Sequence, residues 1–157
     1  MLLLLDSIIR LLIRGSGLNK EQKEKLYHLL ATQVQTYMEC HDVATNKRKG
    51  VGAMLEFIGQ AYQVSLVAVN IGSLEISVKC HTLKSLENLW CDYLSSHLNK
   101  VAERYLVTDE IKHLLNLDTI SLKTTIEEEN YLMCKKVLKE LQGTCSCLGK
   151  LPSTIIM

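Results

Sequence analysis

From Leu74 to Cys80 the residues LEISVKC alternate apolar and polar without a break, and from Leu83 the apolar residues recur at intervals of three and four instead. A period of two puts Leu74, Ile76, Val78 and Cys80 on one face of a strand and Glu75, Ser77 and Lys79 on the other. One face is therefore dry and the other partly wet. That is the signature of an antiparallel sheet covered by helices on one side.

The neighbouring segments extend this frame. The β-branched run VSLVAV from Val64 pairs with Leu74–Cys80 as a hairpin, because Asn70-Ile71-Gly72-Ser73 between them is turn chemistry. ISLKTTI alternates Ile120, Leu122, Thr124 and Ile126 against Lys123 and Thr125, which predicts a third strand. Thr82 offers an N-cap oxygen, and Leu83, Leu86, Trp90, Tyr93, Leu94, Leu98, Val101, Ala102 and Tyr105 then follow as the stripe of one long helix lying on the sheet. A short helix restarts at Thr108. A last helix opens on Glu127-Glu128-Glu129 and is expected to stop at Gly143, leaving 143–157 as a flexible tail.

Ahead of the hairpin, Asn19 and Gln22 have the spacing of a capping box for a helix from about Lys20 to Cys40, whose stripe includes Leu26, Leu30 and Val34. The polar stretch that follows holds Lys47-Arg48-Lys49 and reads as a loop, while Met54, Leu55 and Ile58 suit a short helix. In residues 1–17, Leu5, Ile8, Ile9 and Leu12 follow the i, i+3, i+4, i+7 rule, so this apolar segment is expected to be helical and to pack against a partner face. The domain proper is then 18–142. Its order of elements predicts an α+β ferredoxin-like sandwich.

A chain of 157 residues with 47% hydrophobic and 22% charged residues has room for one globular core. Eighteen basic against seventeen acidic residues leave a net charge of +1, so no global field draws the chain to nucleic acid or an anionic membrane. Asp6, Arg10 and Arg14 interrupt the N-terminal apolar run before it reaches the roughly 20 residues of a membrane span. The run also lacks the basic start and small-residue cleavage site of a leader. Six cysteines without a secretory signature are expected to be reduced thiols in the cytoplasm.

No motif argues for catalysis. Cys80-His81 sets a thiol beside a base, but neighbours on a strand point to opposite faces, and the alternation puts Cys80 with the core. Cys145 and Cys147, with Cys134 one helix earlier, lack the paired spacings of zinc folds. Glu127 to Glu129 stand where acids stabilise a helix start. The chain holds no glycine-rich phosphate loop, hydrolase elbow or metalloprotease motif. It is read as a non-enzyme with no cofactor and no metal.

The segments GSLEISVKC, LKSLENLWCDYLSSHLNKVAERYLVTDEI and ISLKTTIEEENYLMCKKVL together resemble the TRADD-like N-terminal domain family, the N-terminal domain of the death-receptor adaptor TRADD and its invertebrate relatives, across about Met54 to Gln142. The resemblance implies an α/β sandwich that docks proteins in cytoplasmic death-receptor-like or innate-immune signalling, with a TRAF-type or death-domain protein as partner. It also implies an edge strand at the start, which the helical reading of 1–17 lacks unless Leu2 to Leu5 supplies it. The candidate partner-binding residues are Glu75, Ser77 and Lys79 with Lys123 and Thr125 on the open sheet face, an open sheet edge being the other route, and Lys47, Arg48 and Lys49 in the loop. Two rival readings are a small-molecule or metal-binding regulatory domain, prompted by the tail thiols, and a nucleic-acid binder using Lys47 to Lys49. Against RNA binding, the predicted hairpin strands carry no aromatic residue to stack a base.

Overall fold

The computed structural model describes residues 7–40, 50–70 and 74–150, excepting the side chains of 38–40 and 142–150. In chain order the elements are β1 (Ile8–Ser16), α1 (Lys20–Cys40), α2 (Val51–Tyr62), β2 (Val64–Asn70), β3 (Leu74–Cys80), α3 (Leu83–Leu94), α4 (His97–Leu106), α5 (Asp109–Leu115), β4 (Ser121–Thr125) and α6 (Glu128–Lys150). This is an α+β fold, with the four strands in a single antiparallel sheet of order β2-β3-β1-β4. The alternation of Leu74–Cys80 fixes its inner face. Ile9 lies opposite Val78, Leu11 opposite Ile76 and Ile13 opposite Leu74, and all six are buried.

The N-terminal apolar segment is a strand over Ile8–Ser16, not a helix, and it lies between β3 and β4. Polar marks four residues apart, Asp6, Arg10 and Arg14, satisfy a period of two as well as one near 3.6, so they do not discriminate. The β-branched Ile8, Ile9 and Ile13 favour the strand. A central strand also tolerates apolar residues on both faces, and Ile8 and Leu12 are half-buried on the outer one. Leu2 to Leu5 lie outside the described residues.

Two helix boundaries also differ from expectation. The long helix breaks at Ser95-Ser96, where Ser96 adopts φ 67° and the Ser95 hydroxyl bonds back to the Asp92 carbonyl. Serine side chains offer the backbone such alternatives to helix. The break leaves Leu94 63% exposed, although the stripe would bury it. At the other end α6 runs through Gly143 to Lys150. An internal glycine costs a helix only about 1 kcal/mol relative to alanine.

Other local signals act as the sequence implies. The Asn19 side chain accepts from Gln22 N–H at 2.8 Å, and Gln22 returns the bond by accepting from Asn19 N–H at 3.0 Å. Thr82 and Thr108 cap α3 and α5. Helix α2 begins after Gly50 at φ 105°, which has no side chain to cap with, and Gln33 of α1 accepts the Val51 N–H instead.

Helix α6 is pinned twice. Tyr131 stacks on Trp90 of α3 with centroids 4.1 Å apart and donates to Glu87 at 2.8 Å, while Lys135 pairs with the same carboxylate at 3.3 Å. Against β1, the Asn130 carboxamide accepts the Arg10 N–H at 2.9 Å and donates to the Ile8 carbonyl at 2.8 Å. Strand β4 pairs only with Leu12–Ser16, so Asn130 replaces it where it stops. Asn130→Ala should lower unfolding free energy by about 1–3 kcal/mol, because it removes both partners from a strand backbone. Urea denaturation of wild type and variant measures this.

Candidate protein-interaction face

The residues of β1 that do not face the core are Ile8, Arg10, Leu12, Arg14 and Ser16, and register sets what flanks them. Ile8 is opposite Lys79, Arg10 opposite Ser77, Leu12 between Glu75 and Thr125, and Arg14 opposite Lys123. The sheet therefore gathers Glu75, Ser77, Lys79, Lys123 and Thr125 on its outer face. It does not present them equally. Lys123 is exposed, Glu75, Lys79 and Thr125 are half-buried, and Ser77 is buried at 8% exposure, a short side chain between Arg10 and Ala68. Glu75 also accepts from Asn70 Nδ2 at 2.9 Å. Lys47, Arg48 and Lys49 lie outside the described residues.

Arg10 and Arg14, both exposed, join this face and were absent from the sequence-derived set. Reading residues 1–17 as a helix hid them. The strand alternative was legible in the same residues, since Arg10 and Arg14 alternate with Ile9, Leu11 and Ile13. With Lys79 and Lys123 they make four cations beside one carboxylate, and neither described ion pair, Lys25–Glu21 or Lys135–Glu87, involves them.

The sheet edges are less available than the face. On the outer edge of β4, the Leu122 N–H is taken by Glu103 at 2.9 Å and the Thr124 N–H by Asn99 at 2.6 Å, both from α4. Strand β2 forms the other edge, where the register with β3 slips between Leu66 and Ala68 and Val67 is left 48% exposed. A bulge of this kind twists an edge away from further pairing.

Cys80 and His81 are not a catalytic pair. Cys80 is fully buried, and burial pushes its thiol up to about 12. His81 Nε2 instead lies 2.7 Å from Ser65 Oγ. Both of those residues are exposed, so this hydroxyl–imidazole contact sits in water and lacks the desolvated setting that activates a nucleophile. Cys134 is buried as well, donates to the Ile8 carbonyl at 3.2 Å, and has its thiol pushed up to about 11 by burial. Among the described residues no group of three or more His, Cys, Asp or Glu side chains is placed to hold a metal ion, and no helix is long and apolar enough to cross a membrane. Cys145 and Cys147 fall within α6, their side chains outside the described set.

No protein-family model and no solved structure matches the chain significantly. It is similar to a human death effector domain-containing protein, with 28% identity over 101 residues, 64% of this chain and 31% of that protein; the mouse counterpart matches equally. It is also similar to the human DNA-binding death effector domain-containing protein 2, with 26% identity over 89 residues, 57% of this chain and 27% of that protein. The chain thus spans about a third of the length of these relatives.

The buried thiols set an alkaline limit. Both have folded pKa values raised above their unfolded values near 9, so their contribution is intact below pH 9 and is lost as pH climbs towards 11 and 12. Unfolding free energy should fall across that window, by about 1.4 kcal/mol per pH unit for each thiol that stays protonated only in the fold. Denaturation at pH 8 and pH 10.5, with Cys80→Ala and Cys134→Ala as controls that flatten the slope, checks it.

Proposed function

We propose that the chain is a non-enzymatic protein–protein interaction domain of cytoplasmic death-receptor-like or innate-immune signalling, akin to TRADD-like N-terminal domains. The observation that carries this reading is the sheet itself. Its helices bury one face, and the other presents a mixed polar and apolar surface of Ile8, Arg10, Leu12, Arg14, Glu75, Lys79, Lys123 and Thr125. The interleaved order β2-β3-β1-β4, with helices between β1 and β2 and again between β3 and β4, supports the finer ferredoxin-like assignment. The signalling context draws on the similarity to death effector domain-containing proteins.

Of the two routes for a partner, the face is favoured over the edges, because α4 occupies the backbone donors of β4 and a bulge interrupts β2. A second reading, nucleic-acid binding, has in its favour the four cations and the DNA-binding name of one relative. Against it, none of the outer-face residues is aromatic, and Glu75 stands among the cations.

Pull-down with TRAF-type and death-domain proteins as baits tests the proposal, and capture of the purified chain by at least one is the expected result. Charge reversal at both Glu75 and Lys79 should weaken that capture about tenfold. Val67→Lys, which adds a charge to the β2 edge, should leave it unchanged. The opposite pattern would transfer the contact to the edge, and failure of every bait would remove the signalling assignment.

A further inference from the structure

Arg14 and Lys123 are direct register partners on neighbouring antiparallel strands, and both are exposed on the outer face. Side chains so placed have Cβ atoms about 4.5–5.5 Å apart, and like charges there destabilise the sheet. No described ion pair relieves the repulsion. Along β1, Arg10 and Arg14 lie on the same face some 13 Å apart at about 3.3 Å per residue, with half-buried Leu12 between them and half-buried Ile8 beyond. Lys79 flanks Ile8 from β3. The face thus alternates cations with apolar side chains.

We propose that this face binds an acidic amphipathic helix of a protein partner, whose carboxylates meet Arg10, Arg14, Lys79 and Lys123 while its apolar side covers Ile8 and Leu12. The proposal rests on the interaction-domain reading and specifies the partner chemistry. Two features select such a helix over a phosphate backbone. Ile8 and Leu12 reward apolar contact that phosphates do not offer, and Glu75, beside Leu12 on β3, repels phosphate where a helix can place a neutral residue. A helix on the second face is also the ordinary way a one-sided sheet completes its layers.

The test uses the full chain and a fluorescein-labelled peptide of about 18 residues, a Leu/Glu amphipathic helix. A twin carrying Gln for every Glu, a DNA duplex and phosphatidylserine vesicles serve as the other probes. Fluorescence anisotropy should show binding of the Glu peptide that weakens as salt rises from about 50 to about 300 mM. The Gln twin should bind at least about tenfold more weakly. Arg14→Glu and Lys123→Glu should each weaken Glu-peptide binding about tenfold and raise the denaturation midpoint, since each turns a repulsive cross-strand pair into an attractive one. That rise separates lost binding from lost folding. Equal binding of the Gln twin, unchanged affinity in both variants, or tighter Arg14-dependent binding to the duplex or vesicles overturns the proposal. Capture by a signalling bait that Arg14→Glu leaves undiminished would preserve the interaction reading while refuting this surface. Arg14-dependent peptide binding with every bait negative would keep this surface and remove the signalling assignment.

Discussion

The fold depends on satisfying a central strand from both sides. Strand β1 meets β3 over Ile8–Ile13, but β4 reaches only Leu12–Ser16, so backbone groups near its start face a gap. An unpaired backbone group in such a place costs as much as a lost hydrogen bond. Asn130 answers with one donor and one acceptor on a single carboxamide, bonding Arg10 N–H and Ile8 C=O as a strand would. Cys134, one turn further along α6, adds a second donor to the Ile8 carbonyl. Helix α6 can do this because Trp90, Glu87, Tyr131 and Lys135 fix it against α3. The N-terminal strand is thereby held by residues some 120 positions away.

The same device appears at β4. Glu103 and Asn99, four residues apart on α4, share a helix face and accept from Leu122 and Thr124, two residues apart on the strand. A helix rise of 1.5 Å over four residues nearly matches a strand rise of about 3.3 Å over two. The match allows one helix to close a strand edge with side chains alone. It also explains why α4 must be separate from α3: only after the turn at Ser95-Ser96 do Leu98, Val101 and Ala102 reach the core while Asn99 and Glu103 reach the edge.

What was legible in the residues is what local physics decides. LEISVKC, the Asn19–Gln22 capping box and the threonine caps each contain their own partner or period, and each forms as read. The hairpin, the third strand and the class of fold followed from them. Where two periods coincide, as in Ile8–Ser16 with polar residues every fourth position, only the offered neighbour chooses between helix and strand, and that neighbour is remote in sequence. Likewise Gly143 is a weak stop, and Ser95-Ser96 is a weak break until a core pulls the following turn elsewhere. The candidate face was half legible for this reason. Lys79 and Lys123 came from clear strands, whereas Arg10 and Arg14 required β1.

A net charge of +1 conceals how the charges are sorted. Several acids are occupied inside the architecture: Glu87 holds Tyr131 and Lys135, Asp92 accepts from Tyr62, and Glu103 caps β4. Asp109, Glu110, Glu128 and Glu129 sit in first helical turns, where the helix dipole favours them. The cations of the outer sheet face have no comparable structural duty among the described contacts, and two of them, Arg14 and Lys123, oppose each other across a strand ladder. Substituting either member of that pair by a neutral residue would remove a repulsion without touching the core, since both side chains point to solvent. A sequence that keeps such a pair trades some stability for a positive surface, and a surface of that kind gains most when carboxylates from another chain are placed against it.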